Sequence, residues 1–310
     1  MSGAPWAGVA ERGSTIGLWI TVLVYRVLGR RLSTVLVLGV VSYFFATDRR
    51  GRRASRRYLE RLHAVEGGAA ALGHPPTLRD SFRHYREFGL AVLDRLRFTL
   101  GAGDIEIVLR GEEHLAALIA DKRGAILLGA HLGSFAALRV LAERTGVVVN
   151  VLMVTRHAPR ISELLRRLNP DVDVRVLEAG PAAGDTVFRL KACLERGEFV
   201  SILGDRIGGG ARARVVRVPF LGAPAPFPQG PFLLAHALGC PIVLLIALRR
   251  GAHRYEVFAE PLADEVVLPL RERAQRLPEI VRRYAERLEA YCVTAPYQWF
   301  NFFDFWGEMT

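Results

Sequence analysis

The apolar positions along the chain change period as it proceeds. Residues 16–25 are almost wholly apolar, Arg26 interrupts, Arg30 and Arg31 follow, and residues 32–46 are apolar again. Each run is shorter than the roughly 20 apolar residues that span a bilayer. Together they predict one or two helices lying in, or dipping into, a membrane face. Over 56–65 and 78–100 the apolar residues recur at three- and four-residue spacing, the period of an amphipathic helix, with a loop over 67–76 between them. From 104 onward short apolar runs alternate with helical patterns. Strands are predicted over 104–109, 125–130, 147–154, 174–177, 199–204, 242–248 and 255–258. Helices are predicted over 112–121, from the 125–130 strand through Glu143, and over 159–168, 185–196, 231–238 and 277–294. A Gly-, Arg- and Pro-rich loop is expected over 206–228. Continuous apolar strands between helices predict an α/β fold whose mostly parallel sheet is covered on both faces. The final stretch, 296–306, is dense in aromatic residues and reads as core packing in preference to membrane insertion. The organisation that follows is an N-terminal helical and basic segment over 1–57 and an α/β domain over 58–310.

Charge sharpens the picture. The 310 residues carry a net charge of +11, with 51% of them apolar, which implies an anionic partner. Arg49, Arg50, Arg52, Arg53, Arg56 and Arg57 follow the second apolar run directly. Beside anionic headgroups each is worth about 1 kcal/mol, and the positive-inside tendency places them on the cytoplasmic side. A nucleic-acid partner is disfavoured, because the cluster abuts apolar helices and has no stacking platform. Residues 1–15 lack the basic run leading into an apolar core that marks a signal peptide. Cys193, Cys240 and Cys292 follow no metal or redox spacing, so no metal site is expected and a reducing compartment fits. The glycines at 208–210 form no phosphate loop, for no Lys-Ser/Thr follows them.

Two predicted strands end alike. Residues 126–130 run into His131, and 199–204 run into Asp205 and Arg206. Ligands in open α/β sheets bind at the carboxyl ends of strands. His131 precedes Gly133 and Ser134 at a strand-to-helix turn, where an imidazole can act as general base on a hydroxyl or serve the fold alone.

These residues carry a resemblance. Ala130-His131-Leu132-Gly133-Ser134-Phe135 resembles the first motif of the lipid A late acyltransferases, a branch of the glycerolipid acyltransferase superfamily. Gly204-Asp205-Arg206 resembles the second block. Phe220-Leu221-Gly222 with Phe227-Pro228-Gln229-Gly230-Pro231 resembles the third. The ending over 298–306 is similar to that of a subgroup acting on glycolipids, and the apolar N-terminal hairpin with its basic flank matches too. The resemblance implies a glycerolipid-acyltransferase-like sheet with a membrane-associated hairpin. It further implies an enzyme bound peripherally or monotopically to the cytoplasmic face of the inner membrane. That enzyme would use no cofactor. It would move an acyl chain from acyl carrier protein or acyl-CoA to a hydroxyl of a lipid or glycolipid. His131 would be the base. Arg206 or backbone N–H groups over 207–210 would meet the oxyanion, unless Arg206 is spent in a salt bridge. Arg212 and Arg214 on one side of an extended stretch, and Arg217 on the other, would meet phosphates or solvent. Gly222, Gly230 and Pro231 would shape the loop over the site. Arg156 would be a weaker contributor to binding.

One position departs from the family pattern of His, four residues, then Glu or Asp: the fifth residue after His131 is Ala136. Alanine can neither hold the imidazole tautomer nor stabilise the imidazolium. Glu143 lies about 10 Å further along a helix. Asp205 can serve if its strand neighbours that of His131. Three readings stand: a substitution introduced to disable the enzyme, a natural homologue that uses Asp205, or a degenerate homologue that only binds lipid.

Overall fold

The computed structural model of the chain describes residues 15–99, 105–134, 145–153, 174–178, 183–207 and 214–307. The two apolar runs meet directly in α1 (Thr15–Thr47), which breaks at Gly29 with φ 68° and ψ −174°, backbone that only glycine takes without strain. The half after the break, Gly29–Thr47, has 19 residues and is long and apolar enough to cross a membrane. It is longer than the 32–46 run because Gly29, Arg30 and Arg31 belong to the same helix. Val37 and Val41 pack on Gly89 of α4 (Leu78–Thr99), while Leu32, Val35, Leu36, Val40 and Tyr43 stay exposed.

The basic stretch forms the outer face of a core helix. α2 (Arg49–Ala64) is capped by Asp48, whose carboxylate accepts from the Gly51 N–H at 2.9 Å. It buries Gly51, Ala54, Ser55, Tyr58, Leu59 and Leu62 and turns Arg49, Arg50, Arg53 and Arg56 outward. The boundary drawn after residue 57 therefore falls inside this helix. A short α3 (Gly68–Leu72) follows.

Seven strands make the main sheet: β1 (Glu106–Arg110), β2 (Ile126–Gly129), β3 (Val149–Met153), β4 (Val174–Glu178), β5 (Phe199–Leu203), β8 (Ile242–Arg249) and β9 (Arg254–Ala263). Their order is β1-β9-β8-β2-β5-β3-β4. Every described pairing is parallel except the β8–β9 hairpin, as the apolar runs predicted. The described helices after α4 are α5 (Glu112–Ala120), α6 (Ala183–Glu195), α7 (Gly230–Leu238) and α8 (Arg273–Thr294). The helices expected up to Glu143 and over 159–168 lie outside the described residues. Alternation along β2 divides the core: Ile126 and Leu128 face a cluster holding Tyr284, Leu288, Trp299 and Trp306, and Leu127 faces the other, with Phe199, Leu245 and Tyr255.

The loop expected over 206–228 is in part a ribbon. β6 (Val215–Phe220) and β7 (Ala223–Pro228) pair antiparallel across Leu221 and Gly222, both at positive φ, a two-residue hairpin turn. Proline density argued against strand, but Pro224, Pro226 and Pro228 stand at alternate positions of β7. A two-stranded ribbon tolerates them there, because the missing N–H groups face away from the partner.

Candidate active site

β2 and β5 are adjacent and parallel, with Gly129 opposite Leu203. In-register parallel neighbours deliver the residues beyond their ends side by side. His131 and Asp205 each follow by two positions, and they meet. His131 Nδ1 lies 2.8 Å from Asp205 Oδ1, and the His131 backbone N–H donates to Oδ2 at 2.9 Å. The Asp205 side chain has no exposure, whereas that of His131 is 27% exposed. A buried acid thus backs a partly open imidazole. With Nδ1–H donated to a carboxylate, Nε2 keeps its lone pair and can accept a proton.

The electrostatics favour that state. Burial lowers the His131 pKa below its ordinary value; Asp205 opposes this and the Arg206 charge adds to it. Burial alone would raise the Asp205 pKa, but His131 and Arg206 hold it well below the usual carboxylate range. A neutral imidazole beside an ionised carboxylate is the resting pair.

The turn after His131 is pinned on both sides. Gly133 has φ +70°, and a Cβ there would lie 1.8 Å from the Ala247 carbonyl oxygen of β8. Its N–H donates to the Gln298 carbonyl, and that of Ser134 to the Ala247 carbonyl, each at 2.8 Å. Gly133 and the buried Ser134 therefore hold the turn that presents His131.

Arg206 is tied to the C-terminal segment. Its Nε donates to Asn301 Oδ1 at 2.7 Å and its Nη2 to the Phe300 carbonyl at 2.8 Å, with the Phe303 ring 5.6 Å beneath. Arg214 and Arg217 sit exposed at and just before β6, and Gly230 opens α7 at the surface. Ala136, Arg156 and Arg212 lie outside the described residues. Among the described residues no three His, Cys, Asp or Glu side chains converge as metal ligands would.

Four participants were not singled out from the chain. Trp299 Nε1 and Asn301 Nδ2 each donate to Asp205 Oδ2 at 3.0 Å. The Gln298 amide bonds both backbone groups of Arg249 at 2.8 Å. Tyr284 donates its hydroxyl to the Gly129 carbonyl at 2.8 Å. A signal existed for Gln298 and Asn301: they are the amides within a largely aromatic run, and amides placed in a core need partners.

Two comparisons with known proteins found similarities. A family profile described as bacterial lipid A biosynthesis acyltransferase matches residues 96–307, a span that includes His131, Asp205 and Asn301. Among solved structures, the 1-acyl-sn-glycerophosphate (LPA) acyltransferase PlsC from Thermotoga maritima is similar over 82% of this chain and 96% of that one, at 17% identity and a TM-score of 0.34. No curated protein sequence matches.

Proposed function

Since the chain belongs to the bacterial lipid A biosynthesis acyltransferase family, we propose that it moves a fatty acyl chain from a thioester donor to a lipid hydroxyl, with His131 as general base and Asp205 as its partner. The observation that carries this reading is the 2.8 Å contact between His131 Nδ1 and Asp205 Oδ1. Ala136 supplies no carboxylate on the chain following His131, and Asp205 supplies one from the neighbouring strand instead.

The proposed reaction has these steps. His131 Nε2 takes the proton of the acceptor hydroxyl as its oxygen attacks the thioester carbon. Negative charge gathers on the carbonyl oxygen, where Arg206 offers positive potential. The carbon–sulfur bond then breaks, and the imidazolium returns its proton to the leaving thiolate. Asp205 holds the tautomer and stabilises the imidazolium in between. The donor is acyl carrier protein or acyl-CoA and the acceptor a lipid or glycolipid. Arg214 and Arg217 are candidates to meet phosphates of either, along with Arg156 and Arg212. The exposed apolar side of α1 and the outer arginines of α2 fit an anionic membrane surface, the cytoplasmic face of the inner membrane.

The test is acyl transfer by the purified chain in anionic lipid micelles, followed by mass spectrometry of the lipid extract with each donor class. The expected outcome is transfer by the wild type and none by His131→Ala. Asp205→Asn should lose roughly a hundred- to ten-thousand-fold in kcat while still folding. A folded Asp205→Asn protein with an unchanged rate overturns the pairing. Ala136 favours a second reading, a lipid-binding homologue without turnover. Lipid that copurifies with an inactive wild type, with no transfer in Ala136→Glu either, would establish it.

A further inference from the structure

The C-terminal residues 298–301 lie antiparallel along the turn that presents His131. Leu132 and Trp299 form a β-bridge, and the Phe300 N–H donates to the His131 carbonyl at 2.7 Å. The amide orientation of Asn301 is dictated by its neighbours: Oδ1 accepts from Arg206 Nε at 2.7 Å, so Nδ2 faces Asp205. Trp299 is held from behind. Its carbonyl accepts from His84 Nε2 of α4 at 2.8 Å, and His84 Nδ1 lies 3.0 Å from the Ser55 hydroxyl of α2. Both supports precede residue 96, where the family match begins. Asp205 Oδ2 thus takes three donors, the His131 backbone, Trp299 and Asn301, while Oδ1 takes the imidazole.

We infer that Trp299 and Asn301 are positioning residues that set how strongly Asp205 holds the His131 imidazolium, and so set the proton affinity of Nε2. The inference rests on the His131–Asp205 pairing read above. Each neutral donor on Oδ2 draws electron density from the carboxylate and leaves less for the imidazole. Taking one donor away makes Asp205 the stronger partner of the cation, and His131 should then hold its proton to higher pH.

The titratable and charged groups around the pair leave this effect readable. Arg206 stands on the loop of Asp205 itself. Tyr284 and Cys292 face it from α8, both with pKa raised by burial. Tyr58 of α2 packs on Trp299 and is raised by burial too. His84 of α4 is lowered to about 4, also by burial. His131 is read apart from these groups through its own 15N signals.

The experiment is an NMR titration of the full chain in micelles with histidine-specific 15N labelling. The His131 signals are identified by their loss in His131→Gln. Trp299→Phe keeps an aromatic ring and deletes the donor. Asn301→Leu deletes the other donor at similar volume, and Arg206 keeps the Phe300 carbonyl and the Phe303 ring. The expected result is an upward shift of the His131 pKa by about half a unit or more in each variant, and a downward shift in Asp205→Asn. A purely structural role would lower the melting temperature and leave the His131 titration where it was. That result, in variants that fold, overturns the inference, as does a downward shift. Should Trp299→Phe fail to fold, Asn301→Leu decides. The readout needs no turnover, so an inactive chain with a shifted His131 overturns the proposed function alone. An Asp205→Asn protein whose His131 titrates as in wild type overturns the pairing beneath both.

Discussion

His84 has no exposure, and both of its ring nitrogens are engaged, one on the Trp299 carbonyl and one on Ser55. Burial disfavours the imidazolium there and holds the pKa down at about 4, against the Trp299 carbonyl, which favours the proton. The unfolded chain binds a proton near pH 6.5. The stabilisation is therefore complete above 6.5 and is lost as pH falls from there to about 4, at about 1.4 kcal/mol per pH unit and about 3 kcal/mol in all. His84→Gln can supply one donor and one acceptor to the same partners without titrating. Denaturant unfolding at pH 7, 5 and 4 should show the wild type losing stability faster than this variant; parallel losses would count against a neutral buried His84. Nothing local marked His84 or Trp299 as supports of the site, and Asn301 stood out only as an amide in a largely aromatic run. Each is an ordinary core residue until its partner is known, and the partner lies more than 90 positions away for Asn301 and Trp299 and more than 200 for His84.

Among the elements, periodicity was a sound guide where burial is one-sided or complete. The amphipathic helices α2, α4 and α8 and the wholly apolar strands β2 and β8 could be read from their spacing, because each period reports how the side chains are shared between core and water. It failed at β6 and β7, where prolines suggested a loop. The prolines of β7 stand at alternate positions, so the N–H groups they lack fall on the unpaired edge of the ribbon. Beside the Phe45 contacts with Phe82 and Tyr85, the closest approach of α1 to α4 passes over a single small residue. A Cβ at Gly89 would lie 2.4 Å from Val41 Cγ2. Gly89→Leu should wedge α1 away at a cost of about 1–3 kcal/mol and speed proteolytic cleavage between 15 and 47. An unchanged digestion pattern would show that α1 does not depend on that close approach.

For the molecule as a whole, the net charge of +11, the outward arginines of α2 and the bare side of α1 act together. At about 1 kcal/mol per arginine near an anionic surface, Arg50→Glu with Arg53→Glu should weaken binding to vesicles of one-third anionic lipid by about thirtyfold or more. Binding should also fall with added salt. Cosedimentation that is equal on neutral and anionic vesicles would sink the electrostatic part. Both side chains are exposed, so the fold should not suffer. The chain by itself determined most of the described elements, the α/β class, the apolar N-terminus and the two strand ends that bear His131, Asp205 and Arg206, because these follow from local spacing and from what each residue does beside water. It also displayed the missing acid at Ala136. Only the tertiary structure decided that Asp205 stands next to His131, that Arg206 is tied to the C-terminal segment, and that Trp299 and Asn301 close over the acid. Strand adjacency and register are set by non-local hydrogen bonding and by the packing of both sheet faces, and no window of neighbouring residues contains that information.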